Sequence, residues 1–282
     1  MNAIQFFQSF ANPFLDGFFQ AITMFGEDLF ILLVITLTYW CFDKKFGYRL
    51  GFAYLSSMTL NGVIKDIFKI PRPFNKNGIR SLRIKTATGY SFPSGHTQGS
   101  STFFITIMQK INKNYFYLLG IILILLICIS RLYLGVHTLL DVCGGLLFGI
   151  SWALISNKIM NYVENGKEHL LMLLLIPILI GTIFCTSSDY FKAAGICCSF
   201  IIGFFIETKY IKFEAKQPLK IQIIKYLIGI IIAVAIKSSF KIFLPKNNLG
   251  EFIRFFALGI WVTILAPYIF SKISKKHKKP SL

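Results

Sequence analysis

Eight residues in three short stretches carry the chemistry available to this chain: Lys65 and Arg72 ahead of Pro73, then Ser94, Gly95 and His96 behind Pro93, then Arg131, His137 and Asp141 behind Ser130. His137 and Asp141 stand four residues apart, so on a helix they share a face and the carboxylate can accept a hydrogen bond from one imidazole nitrogen. The other nitrogen is then free and basic, as in an oriented nucleophile or general base. His96 supplies a second imidazole, and phosphoryl transfer to one histidine needs another group to protonate the departing oxygen. Lys65, Arg72 and Arg131 would meet the charge on the non-bridging oxygens, arginine as a two-pronged donor. Pro93-Ser94-Gly95-His96 combines a turn, a capping hydroxyl and a glycine open to close approach at a helix start, where backbone N–H groups and the helix dipole receive phosphate. Together the clusters describe cleavage of a phosphate ester. Each alone has an ordinary structural reading: a helical His–Asp pair, a surface histidine at a helix start, cationic anchors at helix ends. Asp66, Asp141 and Asp189 are scattered, so the cationic clamp would replace a divalent metal; no metal and no cofactor are expected.

The elements that must position these residues follow from composition. Of 282 residues, 55% are hydrophobic, 16% aromatic and only 15% charged. That excludes an ordinary soluble domain, and the apolar runs recur along the whole length. They predict nine helical spans, near 27–42, 48–68, 94–109, 115–133, 137–157, 169–186, 190–206, 221–243 and 251–271. Ahead of them, the Phe-rich stretch from Phe6 to Phe25, broken at Asn12-Pro13, reads as an interfacial amphipathic segment. The cysteines (Cys41, Cys128, Cys143, Cys185, Cys197 and Cys198) lie inside apolar runs without paired spacing and read as packing residues. The first basic residue is Lys44, so no cleavable leader is expected and the first span would direct insertion.

The net charge of +18 suggests nucleic acid at first sight, but the lysines fall mainly in short loops between apolar runs. The positive-inside rule accounts for that placement, and no nucleic-acid partner is expected. Nine spans put Lys44, Lys45, Arg49, Lys110, Lys113, Lys158, Lys167, Lys209, Lys212, Lys216, Lys220 and the basic tail on one side, which is then cytoplasmic. The three clusters fall on the other side. So does the 70–92 loop with Lys69, Arg72, Lys76, Arg80, Arg83 and Lys85, a basic group that breaks the rule unless it binds an anion.

The clusters resemble the signature of the type 2 phosphatidic acid phosphatase superfamily: Lys-x6-Arg-Pro at Lys65 to Pro73, Pro-Ser-Gly-His at Pro93 to His96, and Ser-Arg-x5-His-x3-Asp at Ser130 to Asp141, with no position departing. The resemblance covers about 65–141. It implies a six-helix catalytic core in which His137 attacks phosphorus to form a phosphohistidine. His96 would protonate the leaving group and later activate water. Asp141 would orient His137, and Lys65, Arg72, Ser94, Gly95 and Arg131 would cradle the phosphate. The family also contains haloperoxidases and sugar-phosphate phosphatases, so the motifs specify the phosphate site better than the substrate. The added C-terminal spans look similar to the nine-span layout of the sphingosine-phosphate phosphatase and glucose-6-phosphatase branches.

The expectation is therefore an all-α, polytopic membrane bundle: an N-terminal segment 1–26, a phosphatase core 27–186, about three additional transmembrane helices in 187–271 and a basic cytoplasmic tail 272–282. The expected substrate is a lipid phosphate or polyprenyl diphosphate hydrolysed at the extracytoplasmic face, with membrane lipids as the other partners. Abundant Phe, Ile and Lys suggest an AT-rich genome and a bacterial cell membrane. The alternatives are a phosphatase for a soluble ester such as a sugar phosphate, and a non-catalytic transporter or binding protein for anionic lipids.

Overall fold

A computed structural model of the chain describes residues 3–74, 78–164 and 167–277, without the side chains of 85 and 274–277. Lys76, the side chains of Lys85, Lys275 and Lys276, and the last residues of the expected tail lie outside what is described. Among the described residues every regular element is helical. Each of the nine apolar runs appears as a helix or as helical segments in succession: α1 (Ala3–Gln8) and α2 (Pro13–Met24) precede them, followed by α3 (Asp28–Leu37), α4 (Lys44–Phe68), α5 (Gly95–Ile111), α6 (Asn114–Tyr133), α7 (Leu139–Val163), α8 (Leu175–Phe184), α9 (Ser188–Ile206), α10 (Leu219–Phe243), α11 (Asn248–Ile260) and α12 (Ala266–His277). Five of these segments are long and apolar enough to cross a bilayer, and a sixth is added if α2 and Asp28–Phe42 are taken as one bent span. Large apolar side chains stand exposed along them, among them Leu118, Ile122 and Leu125 on α6 and Ile242 and Phe243 on α10. Water would not tolerate so much exposed apolar surface, whereas lipid is its natural solvent.

The expected break at Asn12-Pro13 is where α2 begins: Asn12 caps it by accepting from Leu15 N at 2.9 Å, with Pro13 in the first turn. Cysteine packing needs one correction. Cys41, Cys128, Cys185, Cys197 and Cys198 are buried, but Cys143 is exposed because it lies on the outward side of α7.

Two compact units emerge. The first comprises Met1–Leu32 and Ser57–Lys158, and the second Leu33–Ser56 and Ile159–Leu282, so α3, α4 and α7 contribute to both. In the first unit α5 and α7 are drawn together by glycines. A Cβ on Gly145 would lie 2.8 Å from the Ser94 carbonyl oxygen, and one on Gly149 would lie 2.6 Å from that of Gln98. Small residues at this four-residue spacing let backbones approach where no hydrophobic force drives helices together in lipid. Hydroxyls and amides lace α5 to both neighbours: Thr102 Oγ1 donates to Gly149 O of α7 at 3.0 Å, while Asn61 Nδ2 of α4 donates to Gln98 Oε1 at 2.9 Å and Gln98 Nε2 to Ser57 O of α4 at 2.8 Å. The Ser- and Thr-rich character of the third apolar run thus serves helix contacts. In the second unit α9 packs closely on α11 by the same device, Gly195, Ser199 and Gly203 being spaced by four.

Candidate active site

All eight expected site residues fall in the first unit. Lys65 lies in the last turn of α4 and is 5% exposed. The chain then leaves the helix through Lys69, whose φ is 50°, to reach Arg72. Ser94 is the N-cap of α5, its Oγ accepting from Thr97 N at 3.4 Å, so Gly95 and His96 form the first turn. The amino end of α5 is held to the start of α7 by Ser94 N donating to Asp141 O at 2.9 Å.

The five-residue gap between Arg131 and His137 has a local explanation. After Tyr133 the chain ends α6 in a Schellman turn, with Gly135 N donating to Leu132 O at 3.0 Å and Val136 N to Arg131 O at 3.3 Å. Gly135 has φ 67°, and a Cβ there would fall 2.2 Å from the Arg80 carbonyl oxygen. Three residues of the preceding loop fasten onto this turn: Leu82 N donates to Leu134 O at 2.9 Å, Ser81 Oγ to Gly135 O at 3.1 Å and Arg72 Nη1 to Val136 O at 3.2 Å. Gly135→Ala is therefore expected to add the roughly 1–2 kcal/mol of a left-handed non-glycine residue to a clash with backbone that no rotamer relieves. It should lower both the thermal unfolding midpoint and the yield of folded protein.

His137 follows that turn and lies outside α7, two residues later than the apolar run implied for the helix start. Thr138 is the N-cap. Asp141 Oδ2 accepts from Thr138 N at 2.6 Å, while Asp141 N donates to Thr138 Oγ1 at 3.3 Å, which makes a reciprocal capping box. The Asp141 carboxylate still reaches the imidazole, Oδ2 standing 3.5 Å from His137 Nδ1. Ser91 Oγ donates to the same oxygen at 2.6 Å. On the far side of the ring, Arg72 Nη1 donates to His137 Nε2 at 2.9 Å, which leaves the ring proton on Nδ1, facing Asp141. His137 is 1% exposed, and burial, followed by the guanidiniums of Arg72 and Arg131, pushes its pKa well below the usual histidine range against the opposing pull of Asp141.

Arg131 is wholly buried. Its Nη1 donates to Thr23 Oγ1 at 2.7 Å, while Nε and Nη2 have no hydrogen-bond partner among the described residues. His96 Nε2 likewise lacks a partner, and the ring is within electrostatic reach of Arg131, His137, Arg72 and Lys65. Unpartnered buried donors are costly and call for a reason. A phosphoryl group supplies one, since its oxygens accept from several cations at once.

The basic loop is partly spoken for. Arg80 Nη1 and Nη2 donate to Asp16 at 2.8 and 2.6 Å, and Arg83 pairs with Glu27. The Asp16 partnership raises the Arg80 pKa. These two cations are neutralised by carboxylates of α2 and the turn that follows it, and among the described residues Arg72 is the loop cation hydrogen-bonded to His137. Sequence reasoning missed Ser91, Thr138 and Thr23. Thr138 was recoverable as Thr-x-x-Asp ahead of an apolar run; Ser91 and Thr23 carried no local signal.

Fold and site together define a multi-pass membrane protein with a histidine–aspartate pair set among arginines, an arrangement suited to a phosphoryl group. The chain belongs to the PAP2 superfamily of phosphatases: residues 46–165 match the PAP2 superfamily and residues 191–278 match its "PAP2 superfamily phosphatase, transmembrane extension". It is 31% identical over 142 residues to sphingosine-1-phosphate phosphatase 2 of Homo sapiens, a match covering 48% of this chain and 35% of that protein. It is 26% identical to sphingosine-1-phosphate phosphatase 1 of Rattus norvegicus over 89% of this chain and 70% of that one. It is 33% identical to the undecaprenyl-diphosphatase of Sulfolobus acidocaldarius over 49% of this chain and 66% of that one.

Proposed function

We propose that the chain hydrolyses a lipid phosphate or polyprenyl diphosphate at the extracytoplasmic face, without a metal, through a phosphohistidine on His137. The observation that carries this reading is the His137 ring held between Asp141 at Nδ1 and Arg72 at Nε2, beside an Arg131 with two unpartnered donors. When a phosphoryl group enters, its oxygens draw the Arg72 and Arg131 N–H groups and the Nε2 lone pair is released toward phosphorus. An N–P bond forms as the P–O bond to the leaving group breaks, and His96 delivers its proton to the departing oxygen. The same imidazole then takes a proton from water, which attacks phosphorus, breaks the N–P bond and frees inorganic phosphate. Asp141 stabilises the positive charge that develops on His137. Lys65, Ser94 and Gly95 complete the cradle at the α5 amino end.

Support for a metal-free path comes from the ligand inventory: among the described residues no three His, Cys, Asp or Glu side chains could hold an ion together. The distribution of lysines supports this face, since the positive-inside rule puts the lysine-rich loops on the cytoplasmic side. A lipid substrate is supported by the lipid-exposed helices around the site and by relatives named for sphingosine 1-phosphate and undecaprenyl diphosphate. Reconstituted protein should release phosphate from sphingoid monoesters or polyprenyl diphosphates in the presence of a chelator. Release from glucose 6-phosphate at equal or higher kcat/KM would overturn the lipid assignment, and loss of all activity with chelator would overturn the metal-free path.

A further inference from the structure

Residues before 28 lie outside both matched regions, yet they close one side of the site. Asp16 and Thr23 are seven residues apart on α2, two helical turns, and so share a face. That face meets the end of α6. Asp16 accepts from Tyr133 Oη at 2.6 Å besides its two bonds from Arg80, and Gln8 Nε2 donates to Tyr133 O at 2.9 Å. Two turns on, Thr23, wholly buried, accepts from Arg131 Nη1 at 2.7 Å. Among the described residues no other side chain accepts from this guanidinium.

We propose that Thr23 is a positioning residue of the phosphate site, its hydroxyl oxygen holding Arg131 by one nitrogen so that the other two face the substrate. The inference rests on the phosphatase reading above. A guanidinium is planar and rigid, so anchoring Nη1 sets the direction of Nε and Nη2. An aliphatic side chain in place of Thr23 would remove that anchor and leave all three nitrogens of a buried cation unpartnered. Its drift toward any nearby carbonyl would then misdirect the donors. The N-terminal helices thereby contribute to the reaction through Arg131, although no residue of theirs touches the reacting atoms.

Thr23→Val keeps the shape and removes the acceptor; Thr23→Ser keeps the acceptor. In the full-length chain Thr23→Val should lower kcat/KM roughly ten- to a hundredfold and weaken competitive inhibition by inorganic phosphate by a similar factor. Thr23→Ser should stay within about twofold of the unaltered protein. Thr23→Ser should share its unfolding midpoint, whereas Thr23→Val, which strands a buried cation, should lower it modestly. Equal activity and equal phosphate inhibition in Thr23→Val would overturn the inference, as would parallel losses in both variants that track a lowered midpoint. Stabilisation of the chain by inorganic phosphate in thermal unfolding gives a readout that needs no turnover. If the unaltered protein cleaves no ester, the phosphatase reading fails; phosphate stabilisation equal in Thr23→Val and the unaltered protein sinks the Thr23 role separately.

Discussion

His137→Ala lowers phosphate release by about four orders of magnitude or more and abolishes the acid-labile phosphate label that a rapid quench traps on the unaltered chain. The expectation follows from the ring's two contacts. With Nδ1 toward Asp141 and Nε2 facing Arg72, one lone pair is presented where a phosphoryl oxygen would also seek Arg72. Among the described residues the other buried imidazole there, His96, has no hydrogen-bonded carboxylate beside it. The pH profile adds an independent check. An imidazole whose pKa is pushed down by burial and neighbouring guanidiniums stays neutral, and so nucleophilic, well below pH 6.5. Protonation removes the nucleophile, so the acid limb of kcat/KM, which reports the free enzyme, should fall well under the ordinary histidine range. The alkaline limb belongs to the proton donor, and the two limbs are apparent values of a coupled site. Retained turnover and label in His137→Ala would remove the mechanism.

The second large effect concerns Arg131. Arg131→Ala should reduce kcat/KM by roughly 10²–10³-fold, the cost of losing one well-placed donor group to developing charge. Arg131→Lys should recover little of it. A single ammonium can satisfy Thr23 or the phosphoryl oxygens, whereas the planar fork does both at once. Stability should move the other way: Arg131 is a fully buried cation among other cations, so its removal relieves desolvation and repulsion. An unfolding midpoint equal to or above that of the unaltered protein, with turnover nearly gone, is the expected pair of results. A lysine variant with full activity would mean that Arg131 contributes charge alone, without directed donors.

The apolar runs and the three clusters were legible because their information is local. A helix in lipid must satisfy its own backbone, so a long apolar run leaves few alternatives, and each predicted span has a helical counterpart. Less visible were contacts between residues distant in sequence. Thr23 and Arg131 are 108 residues apart and Ser91 and Asp141 are 50 apart, and neither pair leaves a spacing that a sequence reader could recognise. The start of α7 was misplaced for a different reason. Hydropathy does not register a left-handed glycine followed by a threonine cap, so the run appeared to begin at His137, whereas Gly135 and Thr138 end one helix and start the next around it. The loop arginines were misjudged because charge counting assigns every cation to the substrate, although Asp16 and Glu27 had already claimed two of them.

The bond between Arg72 and His137 has a consequence for selectivity. In the proposed mechanism the attacking atom and the receptor for the anion restrain each other, so the imidazole would become reactive only when a ligand offers the arginine something stronger than a ring nitrogen. A neutral electrophile cannot make that offer. On that mechanism the site would check charge before it permits bond making, and a single side chain would do the checking.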